Sequence, residues 1–177
     1  MNNPERATRS PVRRWWIAAL AVFTIAAAGV AWYSFGPGHH GTANTDAAMA
    51  TRAQHVMPFD LNRTTHTFTK TADGGIETVV VENASDTADL ALIRTHLRTE
   101  AQNFRRGNYS DPAKIHGMDM PGVTELEAGA ARVKVVYAQT RGGAQITYTS
   151  TEPTLISALH AWFDRQASDH SLPGMGG

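Results

Sequence analysis

One arrangement occurs twice in this chain and limits its fold more than any other feature. Two alternating, β-branched runs meet across a Gly-Gly turn, and an amphipathic helix follows. In the first unit Thr65 to Thr71 alternates, Ala72-Asp73-Gly74-Gly75 is a turn signal, and Ile76 to Glu82 is the partner strand. A helix is expected from Asp86 to Arg106, capped by Ser85 or Asp86. Its apolar stripe is Leu90, Ile93, Leu97, Ala101 and Phe104, and Gly107 stops it. In the second unit Arg132 to Gln139 and Ala144 to Ser150 flank Arg141-Gly142-Gly143. A last helix opens near Glu152-Pro153 and carries Leu155, Ile156, Leu159, Trp162 and Phe163. Hairpin–helix twice predicts an α+β two-layer domain: a four-stranded antiparallel sheet made of two β-hairpins, with two helices on one face. The halves share organisation and little sequence.

Ahead of this domain lies a different kind of segment. Trp15 to Phe35 holds no charged residue. As a helix it would span about 30 Å, the hydrocarbon thickness of a bilayer. Trp15, Trp16, Trp32 and Tyr33 sit at its ends, and Arg6, Arg9, Arg13 and Arg14 precede it. The length favours an uncleaved transmembrane helix, a signal anchor, over a cleaved signal peptide. The arginines place residues 1–14 in the cytoplasm and the rest outside, giving a single-pass inner-membrane protein with a periplasmic domain. Residues 36–56, rich in Gly, Ala, Thr and Asn, read as a flexible linker. Gly36-Pro37-Gly38-His39-His40-Gly41 matches GxGxxG, but no strand precedes it, so it is no dinucleotide loop. The domain is expected over 57–170, with a flexible tail at 171–177.

Charge and composition exclude several functions. Sixteen basic and sixteen acidic residues cancel, which argues against a nucleic-acid partner. The chain has no cysteine, which removes thiolate nucleophiles, Cys zinc sites, iron–sulfur clusters and blue-copper sites. No GxSxG, HExxH or phosphate loop appears, so no enzyme class is indicated.

Between the two units, residues 107–129 lack periodicity, as a functional loop would. They contain His116-Gly117-Met118-Asp119-Met120-Pro121-Gly122. Pro121 disfavours helix at Met120, and an extended backbone would turn His116, Met118 and Met120 to one side. Imidazole with two thioethers suits copper, especially Cu(I). His66, His96 and His160 are candidates to complete such a metal site. Each also has a plainer reading. His66 shares a strand face with Phe68 and reads equally as a satisfied core histidine; His96 and His160 each have a carboxylate one turn on, in Glu100 and Asp164. His170 suits a helix C-terminus. Two of His66, His96 and His160 could instead clasp a non-covalent haem b, with Met118 or Met120 as an alternative sixth ligand. A third expectation is an accessory module that docks on a protein partner in a membrane complex through its methionines.

Met57-Pro58-Phe59-Asp60, Arg63-Thr64-Thr65-His66, Ser110-Asp111-Pro112, Ile115-His116-Gly117, Met120-Pro121-Gly122 and Ala158-Leu159-His160-Ala161-Trp162-Phe163-Asp164 carry a resemblance. Over most of residues 57–170 the chain resembles a family of small exported or membrane-anchored bacterial proteins whose members are often labelled aspartate carbamoyltransferase. The resemblance implies a compact exported domain. It does not imply carbamoyl transfer: a Ser-Thr-Arg-Thr carbamoyl-phosphate site is absent, and the chain is too short for the two-domain enzyme.

Overall fold

The computed structural model describes residues 40–177, with side chains from residue 45. The expected cytoplasmic stretch and transmembrane run lie outside the described residues. Among the described residues no helix is long and apolar enough to cross a membrane.

The sheet follows the period-two pattern. Strands β1 (Thr64–Thr71), β2 (Gly74–Val81), β3 (Lys134–Thr140) and β4 (Gly143–Thr149) form one antiparallel sheet in the order β1-β2-β4-β3. The two hairpins are therefore joined through β2 and β4. His66 pairs with Val79, Val79 with Ala144, and Glu77 with Phe68 and Ile146, so these residues share one face. The Gly-Gly signals do more than turn the chain. A Cβ on Gly75 would lie 2.3 Å from the Phe163 ring, and one on Gly143 would run into the Val79 carbonyl oxygen. Both glycines belong to strands and admit close neighbours.

Helices α2 (Thr87–Phe104) and α5 (Pro153–His170) cover that same face. Asp86 caps α2 by accepting from the Asp89 amide at 3.1 Å. Phe104 of α2 and Trp162 and Phe163 of α5 all pack on Tyr148 of β4, with ring centroids 5.5–5.8 Å apart.

Three segments depart from the sequence expectation. Residues 40–56, expected to be a tether, form α1 (His40–Val56). Its Ala-rich middle is a good helix former, and Ala53 and Met49 are buried in the core. The Arg52 Nε–H donates to the Ile115 carbonyl at 2.9 Å. Among the described residues α1 therefore packs as part of the compact unit. Residues 107–129 contain α3 (Ser110–His116) and α4 (Val123–Ala128). Pro112 suits the first turn of α3, and Ile115, Val123 and Leu126 anchor the two short helices in the core. The tail at 171–177 also packs: Met175 is fully buried, and the Gly176 carbonyl accepts from the His66 amide on the free edge of β1.

Candidate functional site

Where α3, α5, β1 and the tail meet, three imidazoles lie side by side. The rings of His66 and His170 stack with centroids 4.5 Å apart, and His116 is 5.6 Å from His170. All three are buried. The Nδ1 atom of each contacts an oxygen: the Gly176 carbonyl for His66 (3.2 Å), the Met175 carbonyl for His170 (2.7 Å), and Asp169 Oδ2 for His116 (2.8 Å). A carbonyl oxygen only accepts, and a carboxylate does the same, so in each ring Nδ1 carries the hydrogen. The lone pair is left on Nε2. Burial pushes the pKa of all three rings down, that of His170 to about 4 and that of His66 well below the ordinary value. For His116 the Asp169 carboxylate works against burial, but burial is the stronger effect. The rings are neutral near pH 7. Asp169 is itself held by Arg165 Nε–H at 2.7 Å.

His116 and His170 border a small cavity that His96, Glu77, Glu100, Asp111, Gln166 and Trp162 also line. The cavity measures about 40 Å³; at roughly 10–15 Å³ per water it has room for about three. Two of its polar atoms, His116 Nε2 and Trp162 Nε1, are buried and have no partner within the protein. Burial raises Glu77 and Glu100 to about 7. Tyr148 O–H donates to Glu77 Oε2 and Asn103 Nδ2–H to Glu100 Oε1, each at 2.9 Å, which offsets part of that rise. Its walls thus offer neutral imidazoles and two carboxyls, Glu77 and Glu100, that are partly protonated near pH 7, with no lysine or arginine among the lining residues.

The loop motif does not assemble as the alternation predicts. His116 is the last residue of α3 and turns inward. Gly117, at φ +95°, ends the helix, and the chain swings away. Met118 is 83% exposed, whereas Met120 is 5% exposed and packs in the core. The extended backbone on which a common face depended is interrupted by the helix end. Among the described residues no three histidine or carboxylate side chains stand ready around one metal ion. His66 reaches the cluster. His96 lines the cavity and meets Phe59 edge-on at 5.8 Å. His160 lies apart: its Nε2 contacts the Thr71 and Gly74 carbonyls at 2.9 and 3.0 Å and so clasps the first hairpin. Sequence reasoning gave His170 only a helix-end role and missed Asp169, Gln166 and Glu77. It named Glu100 only as a neighbour of His96. One signal was available: Glu77, Glu100, Gln166 and His170 are polar residues that fall on the buried phase of their own strand or helix.

No family model, curated protein or solved structure matches the chain.

Proposed function

We propose that this domain binds a transition-metal ion, with copper as the cargo, through imidazole nitrogens at the His66–His116–His170 cluster and the adjoining cavity. The observation that carries the reading is the shared tautomer. Three neighbouring buried rings have Nδ1–H fixed by an oxygen and a lone pair on Nε2, the layout of metal-ligating histidines backed by outer-shell acceptors. The unpartnered His116 Nε2 is its clearest member. Glu77, Glu100 and His96 can add ligands from the cavity wall, and a bound cation would displace the carboxyl protons. Coordination of one ion would require these side chains to move inward from their present positions. Imidazole suits copper, zinc and nickel, and copper binds most strongly of the divalent series. The nitrogen and oxygen set favours Cu(II) over the Cu(I) expected from thioethers. A cavity for about three waters has no room for a porphyrin, so a bare ion is preferred to haem. With the expected anchor in residues 15–35, the protein would handle or deliver metal outside the cytoplasmic membrane.

The test is a Cu(II) titration of the full chain beside His116→Ala and Met118→Ala. The reading expects His116→Ala to lose copper and Met118→Ala to keep it. Equal retention by both variants would sink it. Met118 itself supports a second reading of the α3–α4 connection: a large apolar side chain so exposed suits a docking contact with a protein partner. A photo-crosslinker at position 118 that captures no protein in cells would dispose of that reading.

A further inference from the structure

The last residues of the described chain do something their composition hides. Leu172-Pro173-Gly174-Met175-Gly176-Gly177 has the look of a floppy end, yet it is pinned at two points. The Met175 side chain is fully buried. The Gly176 carbonyl accepts from the His66 amide, so the tail pairs with the edge of the sheet at the residue that carries one of the imidazoles. Consecutive carbonyls then serve two stacked rings: Met175 O accepts from His170 Nδ1–H, and Gly176 O accepts from His66 Nδ1–H. Glycine at 176 is required twice over. Its φ is +78°, and a Cβ there would lie 2.9 Å from His66 Nδ1 and 3.2 Å from the Leu61 carbonyl.

We propose that Met175 and Gly176 are positioning residues whose main-chain carbonyls set the tautomer of His170 and His66, keeping both Nε2 lone pairs free for a ligand. Free histidine in water prefers its hydrogen on Nε2. Without the tail, both rings would revert to that form and present N–H where a metal needs a lone pair. The proposal rests on the metal-binding reading for its purpose, but the tautomers can be observed without any metal.

The experiment is nitrogen-15 NMR of imidazole-labelled full chain, followed by Cu(II) titration of the same samples. Full chain should show Nδ1–H at His66 and His170. A chain ending at Leu172 should show Nε2–H at both, and copper affinity should drop about 10–100-fold, as for loss of outer-shell partners. Adding the peptide Pro-Gly-Met-Gly-Gly should restore the first state. If the shortened chain loses the folded signal of His116, Gly176→Ala decides: it should switch His66 and spare His170. Full chain with Nε2–H at both rings overturns the proposal, as does a folded shortened chain or a Gly176→Ala chain that leaves His66 unchanged. Full chain with the expected tautomers but no copper binding refutes the metal reading and leaves the positioning role standing.

Discussion

The contact between His116 Nδ1–H and Asp169 is the one side-chain pair that holds an imidazole of the cluster, the other two rings being held by main-chain carbonyls. It fixes ring orientation and tautomer, and the carboxylate raises the basicity of Nε2. Asp169→Asn keeps an acceptor but removes the charge. We expect copper affinity to fall about 10–100-fold with the fold intact, as measured by calorimetric titration. The buried groups also predict a pH profile. His170 is depressed to about 4 from an ordinary 6.5, so between those values the unfolded chain takes up a proton that the folded chain refuses, and stability falls as pH falls. His66, His96 and His116 are lowered too and act in the same direction. Glu77 and Glu100, raised to about 7 from 4.5, act oppositely: stability is lost as pH rises through 7. Below pH 4.5 the two carboxyls are protonated in the folded and the unfolded chain alike and only the imidazole effect is left, so the melting midpoint should fall as pH drops from 4.5 toward 4. A midpoint that rises steadily from pH 7 to pH 4 would contradict the burial of these rings. Individual histidines were visible in the sequence. Their convergence was not, because His66, His116 and His170 lie on three different elements, and sequence spacing says nothing about which elements meet.

Among the elements, the sheet and the two long helices were legible because each keeps one period long enough to be read. Alternation over β1 to β4 and the 3.6 stripe of α2 and α5 located all six to within a few residues. The short helices were not legible. α3 and α4 have seven and six residues, too few to show a stripe. α1 is rich in Ala and Thr and buries only small or flexible residues such as Ala53 and Met49, so its pattern resembles that of a tether. The Gly-Gly pairs were read as turns, whereas Gly75 is a packing position under Phe163. Gly75→Ala should cost about 1–3 kcal/mol, as overpacking does, seen as a lower urea midpoint at an unchanged slope. Stability equal to the parent would mean that Phe163 does not sit where described. The polar residues on the buried phase carry the more general lesson. Glu77 takes a place in β2 between Gly75 and Val79, and Gln166 continues the α5 stripe after Leu159 and Trp162. A polar side chain in such a place needs a partner or a purpose, and together these residues outline the cavity.

At the scale of the whole molecule, we propose an anchor at residues 15–35 ahead of a compact domain that binds metal. The uncharged run from Trp15 to Phe35, led by four arginines, predicts that the full chain stays in the membrane fraction through an alkaline carbonate wash. Recovery in the soluble fraction would remove the anchor from the account and leave the domain's chemistry untouched. That chemistry is the central claim, and copper content after desalting tests it most directly. Full-length protein loaded with Cu(II) should retain stoichiometric copper, and a folded His116→Ala/His170→Ala double variant should retain none. A parent that loses its copper on desalting, or a double variant that holds as much as the parent, would contradict the claim.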